Sequence, residues 1–241
     1  MKIDEELWNH ATIGTVVRQR LVLPMLDPHP GETVVDAACG NGWYSLWLAL
    51  KGCRTLGFDV RSESIRSASA VRDRLALDRA AFIQADMRAI PLPNATFDKA
   101  LCVTSIEHVV EDRLALAELR RILKNRGKLV LTTPLVGRSF LFRSFVPGEL
   151  DQARDGYRPN DISEKLTRAG FKVLTQDYVF RLFGQTAWEL GQLLRNQRVT
   201  FRLMRTILFR LALMDGASPK SRFKNEIVLS AESVSDLALP N

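Results

Sequence analysis

Residues Val34 to Gly42 read VVDAACGNG, and the fold of the chain turns on this stretch. Val34 and Val35 are β-branched residues suited to a buried strand. Asp36 closes the strand, Cys39-Gly40-Asn41-Gly42 makes a tight turn, and Trp43 to Lys51 carries an apolar helical pattern. Strand, glycine turn and helix in this order present backbone N–H groups and a helix N-terminus to a ligand. Gly40 and Gly42 suit positions where a Cβ would block a positive φ or a close backbone approach.

Working outward, the same alternation repeats. Strands are expected at Thr33–Ala37, Thr55–Asp59, Ala81–Gln84, Lys99–Thr104 and Lys128–Thr133. Helices are expected at Ser62 to Leu77 and Arg113–Leu123, and Asn125-Arg126-Gly127 is expected to turn the chain into the fifth strand. Strands alternating with helices at this spacing imply a parallel sheet with right-handed crossovers. Residues 135–159 read as irregular, with Phe140, Phe142 and Phe145 among Arg138 and Arg143. Asn160 or Asp161 caps a helix to Ala169, Phe171–Phe180 alternates as a sixth strand, and Phe223–Ala231 is the last. Ahead of all this, residues 4–26 read as one or two helices packed on the sheet edge, the sharper alternative being a lid over a pocket. Residues 232–241 read as a tail.

The totals fit one α/β domain spanning 1–241 with added helices. A composition 46% hydrophobic and 25% charged is enough for a full core. Lys and Arg number 34 against 27 Asp and Glu, a formal +7 that favours acidic partners without choosing among them. Cys39, Cys53 and Cys102 form no CxxC pair and read as reduced thiols in a cytoplasmic protein. The acidic start MKIDEELWNH has no apolar core of a signal peptide, and no apolar run is long enough to span a bilayer.

Asp36, Asp59 and Asp86 fall at the ends of the first three strands, on the one rim where a parallel sheet binds ligands. Asp59 is placed to accept from two ribose hydroxyls, and Asp86, beside Met87, from an adenine amino group. One such aspartate alone is more often a turn former; three beside a glycine turn argue for a ligand.

With these residues in hand, the chain resembles the class I S-adenosylmethionine-dependent methyltransferases, small-molecule branch. The resemblance covers roughly residues 30–180 and the final strand. It rests on VVDAACGNG, LGFD, QADM, FDKALCVTSIEHV and ELRRILKNRGKLVLTTP. It implies a Rossmann-like seven-stranded sheet in the order 3-2-1-4-5-7-6, the last strand antiparallel, with helices on both faces and a helical insertion before that strand. It implies S-adenosyl-L-methionine as cofactor, held by Asp36, Ala37, Cys39, Gly40, Gly42, Asp59, Val60, Asp86, Met87, Thr104 and Ser105. Gly40 and Gly42 would approach the methionine part, and Thr104 or Ser105 would line the floor beneath the sulfonium. A nicotinamide-dependent oxidoreductase is the rival in the same architecture, but Ser45 stands where its third glycine belongs, and Asp86 has no role in it. A non-catalytic module that only binds the nucleoside is the alternative from another class.

Methyl transfer asks mainly for positioning, and a weakly acidic acceptor also needs a base. Glu107-His108 follows the fourth strand at the mouth of the expected pocket, with His108 the candidate base. The plain alternative is that Glu107 supports the turn and His108 packs. Quinone-pathway relatives that bind a metal here carry a Glu three residues before the Glu-His pair; this chain has Thr104, so no metal site is expected. Tyr157 and His10 are secondary candidates for the substrate wall.

Residues 181–222 hold eight basic residues against Glu189 and Asp215, nearly the whole net charge. Arg195, Arg198, Arg202 and Arg205 repeat at intervals of three and four, interleaved with apolar residues such as Phe201, Ile207 and Leu208. A basic amphipathic helix suits a membrane surface or an acidic partner. A substrate-covering helical cap is favoured here, with affinity for lipid or a lipid-linked acceptor as its extension, and a homodimer contact as the third reading. No nucleic-acid recognition motif is present.

Overall fold

The computed structural model describes residues 7–8, 10–141, 153–194, 198–215 and 223–234; of residues 198–203 it describes the backbone only. Seven strands form one sheet in the order β3-β2-β1-β4-β5-β7-β6. They are β1 (Thr33–Ala37), β2 (Arg54–Asp59), β3 (Ala80–Gln84), β4 (Phe97–Val103), β5 (Leu123–Pro134), β6 (Phe171–Val179) and β7 (Glu226–Ser233). The helices are α1 (Ile13–Leu26), α2 (Trp43–Leu50), α3 (Ser62–Arg74), α4 (Asp112–Ile122), α5 (Pro159–Arg168), α6 (Leu182–Leu194) and α7 (Arg198–Leu213), with a 3-10 turn at Ile106–His108.

The period-2 alternation of the strands builds two cores. Val34, Leu101, Val130 and Val228 point to one face, packed by α1, α2, α3, α6 and α7. Val35, Ala37, Ala100, Cys102, Leu129, Leu131, Ile227 and Leu229 point to the other, covered by α4 and α5. Pairing β1–β2, β2–β3, β1–β4 and β4–β5 is parallel, as the crossover helices require, and β7 runs antiparallel to both β5 and β6. Glu226, the first residue of β7, pairs with both Pro134 and Val179, the last residues of β5 and β6. The start of β7 therefore joins the rim formed by the C-terminal ends of the other strands.

The N-terminal residues form two pieces, since Leu7–Trp8 lies in a separate helical turn and Thr12 caps α1 by accepting the Thr15 N–H at 3.0 Å. α1 lies over β5, β6, β7, α6 and α7 rather than on the sheet edge, because Val16, Val17 and Val22 have an apolar face to bury. β5 is longer than the sequence suggests. Leu123 already pairs with Phe97, and the Asn125-Arg126-Gly127 turn is a kink inside the strand, with Arg126 at φ +60°. α6 and α7 pack on each other, and Asp215 closes the hairpin by accepting the Arg181 and Gly184 N–H groups at 3.1 and 2.7 Å. No helix among the described residues is long and apolar enough to cross a membrane.

Candidate functional site

β1 and β4 are neighbours, with Ala37 opposite Cys102. The glycine turn after β1 and the Thr104 turn after β4 therefore stand side by side on the rim. The expected residues divide between these two halves.

On the β1–β3 half, Asp36 is buried and accepts both the Ser45 hydroxyl, at 2.8 Å, and the Ser45 N–H, at 3.2 Å. It pins α2 to β1. Desolvation raises its pKa to about 6, against the lowering by its two Ser45 bonds. Gly40 has φ +53°, and a Cβ built on it meets nothing within 4 Å. Gly42 has φ +72°, but a Cβ there would lie 2.7 Å from the Phe82 ring and 2.9 Å from Ala68. The two glycines thus differ: Gly42 is needed so that β3 and α3 can pack against the turn, and Gly40 leaves open room on the rim. Asp59 accepts the Gly40 N–H on one oxygen and the Arg61 N–H on the other, each at 2.9 Å. Arg61 Nε also lies 3.5 Å from the second oxygen, and the oxygen bonded to Gly40 keeps a lone pair for a further donor. Val60, next to it, is 61% exposed, an apolar side chain without cover.

Asp86 departs from the expectation. Arg88 donates to both its oxygens through Nε and Nη2, at 2.6 to 3.1 Å, and also through its backbone N–H at 2.8 Å. These bonds lower the Asp86 pKa and occupy its acceptor sites. An adenine amino group would have to displace the Arg88 side chain. Met87 and Ala37 are buried in the core behind the rim, and the Cys39 thiol is raised by burial.

On the β4–β5–β7 half a cleft opens, about 520 Å³ with its mouth included. Thr104, Glu107, His108 and Pro134 line it together with Arg18, Phe140, Phe180, Gln185, Trp188 and Glu226, among others. Thr104 sits at φ +47°, its N–H donating to the Thr132 carbonyl at 3.0 Å. Ser105 is buried below, its hydroxyl 3.3 Å from the Cys102 sulfur. The Glu107 carboxyl is 1% exposed, and desolvation pushes its pKa up to about 8, which outweighs Arg18 nearby and the Thr133 hydroxyl that donates to it at 3.2 Å. The His108 side chain is 43% exposed, with Nε2 4.0 Å from Glu107 Oε1. No group of three or more His, Cys, Asp or Glu among the described residues is arranged to hold a metal ion.

Neither secondary substrate candidate lines this cleft. The Tyr157 hydroxyl donates to Asp112 at 2.7 Å and its ring lies under Arg154, an anchor for the foot of the loop after β5. His10 lies over the glycine turn, where its carbonyl accepts from Asn41 Nδ2 at 3.2 Å and its ring contacts Arg74 at 2.6 Å. The sequence reading missed Arg18, Gln185 and Glu226. Arg18 donates to both Glu226 oxygens at 2.8 and 2.9 Å across 208 residues of chain, a contact that no local pattern announces.

The arginine face expected on the insertion falls largely outside the described residues: of Arg195, Arg198, Arg202 and Arg205, only the Arg205 side chain is described. Arg205 donates to the Trp8 carbonyl and stacks 4.7 Å from the Phe209 ring, so it faces the N-terminal segment rather than a surface. Leu208 is fully buried, which excludes it from any dimer contact; Ile207 beside it is 57% exposed.

The residues on the rim fit S-adenosylmethionine. Gly40, at φ +53°, leaves open space at the turn, and the Asp59 carboxylate that accepts its N–H stands beside it.

Residues 35–131 match the family model described as a methyltransferase domain. The chain is similar to a demethylmenaquinone methyltransferase of Clavibacter sepedonicus, 33% identical over 57% of this chain and 54% of the relative. It is also similar to a malonyl-acyl-carrier-protein O-methyltransferase of Serratia marcescens, 31% identical over 53% of this chain and 48% of the relative. The matched span is about half the length of these curated relatives. Among solved structures, an S-adenosylmethionine-dependent methyltransferase from Aquifex aeolicus superposes with a TM-score of 0.64 at 17% identity, covering 97% of each chain. The cyclase SpnF gives 0.67 at 20% identity, covering 92% of this chain and 82% of SpnF. At these identities the superpositions speak for the fold alone, which is the seven-stranded Rossmann-like sheet expected from the sequence.

Proposed function

We propose that this chain is a class I S-adenosylmethionine-dependent methyltransferase and that it methylates a small-molecule acceptor, free or lipid-linked, bound in the cleft beside Thr104. The observation that carries this reading is the adjacency of the two halves: the Gly40–Asp59 rim and the cleft follow neighbouring strands, β1 and β4. Bound S-adenosylmethionine supplies a methyl group already activated on a sulfonium. The chain's own residues then hold and orient. Asp59 accepts the ribose hydroxyls, Gly40 gives the methionine part its room, and Val60 covers the adenine face. His108 at the cleft wall takes the proton of the acceptor hydroxyl or amine as general base, for which an imidazole is suited. Glu107 acts as a hydrogen-bonding group beside it. The aromatic wall of Phe140, Phe180 and Trp188 holds the acceptor body and keeps water out. The helices α6 and α7 serve as the cap that carries part of this wall.

The test is incubation with methyl-labelled S-adenosylmethionine and an acceptor pool of cell extract freed of protein. The reading expects label in a small-molecule product. Stoichiometric cofactor binding with no label transferred would leave only the binding module.

A further inference from the structure

Tyr44 is the one described residue whose buried side-chain oxygen has no hydrogen-bond partner. A buried hydroxyl left unpaired is costly, so each such group calls for an explanation. Tyr44 stands on the first turn of α2, whose neighbour on the rim side is the Asp36–Ser45 pair, and its hydroxyl bonds to no described group, Arg18 and Glu226 included. Arg18, in turn, is held at three points. Its Nε donates to Glu226, its guanidinium lies 4.9 Å over the Phe180 ring, and the missing Cβ of Gly14 makes room for Nη1, which would otherwise be 2.6 Å away. Its terminal Nη groups donate to no described residue, although Arg18 lines the cleft. A guanidinium whose amino groups meet no acceptor among the described residues can offer them to a planar anion.

We propose that Arg18 is the carboxylate-recognising arm of the cleft, and that Tyr44 is its positioning residue, donating to Glu226 when Arg18 turns toward a ligand. Glu226 is buried and would otherwise be left without a donor as Arg18 moved, at a substantial cost. The idle Tyr44 hydroxyl supplies that donor. The carboxylate has two possible sources, the acceptor or the amino-acid end of the methyl donor, and the acceptor source rests on the methyl-transfer reading above.

The experiment uses two matched pairs in calorimetric titrations of the full chain. One pair is S-adenosylhomocysteine against its decarboxylated form. The other is phenylacetate against phenylacetamide, measured with and without S-adenosylhomocysteine. The wild type should prefer the carboxylate in at least one pair by tenfold or more, and the pair that shows it identifies the source. Arg18→Gln should erase the preference and Arg18→Lys should restore part of it, which separates recognition from a folding defect. Tyr44→Phe should cut the preference at least threefold and, with the idle hydroxyl gone, melt no lower than wild type without ligand. No preference in either pair, or a preference that survives Arg18→Gln, overturns the proposal. A Tyr44→Phe variant that melts several degrees lower overturns the part given to Tyr44. S-adenosylhomocysteine failing to bind at all would count against the methyl-donor reading instead, and the phenylacetate pair without nucleoside would still judge Arg18.

Discussion

The Glu107 carboxyl accepts the Thr133 hydroxyl at 3.2 Å at the edge of the cleft, and it does so in near-complete burial. Its folded pKa, about 8, lies above the ordinary 4.5, so between these values the folded state binds more protons than the unfolded one. Stability from this group is full below about 4.5 and is lost as pH rises toward 8. Glu107→Gln should remove that dependence. Its melting temperature, measured against wild type, should gain steadily from pH 5 to pH 8. A difference that does not change with pH would show that Glu107 is already ionised in the fold.

Gly40 and Gly42 should separate binding from stability. Gly42→Ala must fit a Cβ at φ +72° against Phe82 and Ala68, and it should cost about 2–4 kcal/mol by denaturant unfolding. Gly40→Ala meets only open space, so backbone strain alone should cost about 1–2 kcal/mol. That Cβ occupies the cofactor's room, however, and S-adenosylhomocysteine affinity should fall by about a decade or more, on the order of 1.4 kcal/mol. Equal loss of stability in both variants would remove the distinction drawn between the two glycines.

His108→Gln should lower turnover about a hundredfold or more, within the range seen when a general base is removed, with S-adenosylhomocysteine affinity unchanged. Turnover near wild type would mean that positioning alone carries the reaction and that His108 only lines the cleft.

The outer side of α7 is the place to test contact with lipid or a second copy. Ile207 is exposed there, as are Leu213 and Met214. If lipid is the partner, anionic vesicles should retain the protein more than neutral ones, the difference should fade with salt, and Ile207→Glu should abolish binding. A change in sedimentation with Ile207→Glu would point to a dimer. The cap reading expects neither, only loss of activity when α6 and α7 are removed.

What the sequence made legible was local. The strand-turn-helix of 34–50 and the acids at the ends of the first three strands follow from spacing within a few residues, and they stand on one rim as expected. The sheet order and the antiparallel last strand came with the resemblance. What it hid depends on contacts between distant segments. Arg18 and Glu226 meet across the whole chain, so neither could be read as a cleft residue. Asp86 was read by its position without Arg88, whose side chain folds back onto it. The regular spacing of the insertion's arginines suggested a shared outward face, yet Arg205 turns inward to Trp8, because a long side chain can bury its stem and still find a carbonyl.

Asp59 is the residue on which nucleoside binding should depend most directly. Calorimetric titration of wild type and Asp59→Ala with S-adenosylhomocysteine, and of wild type with NADH, measures it. The lost charge-assisted bonds to the ribose, about 1.5–3 kcal/mol, should weaken the nucleoside by roughly one to two decades, and NADH should bind far more weakly than S-adenosylhomocysteine. Because Asp59 also accepts the Gly40 N–H, the variant's melting temperature is read alongside, so that a collapsed turn is not mistaken for a lost contact. Unchanged affinity in a folded Asp59→Ala variant, or NADH binding as tightly as S-adenosylhomocysteine, would contradict the account.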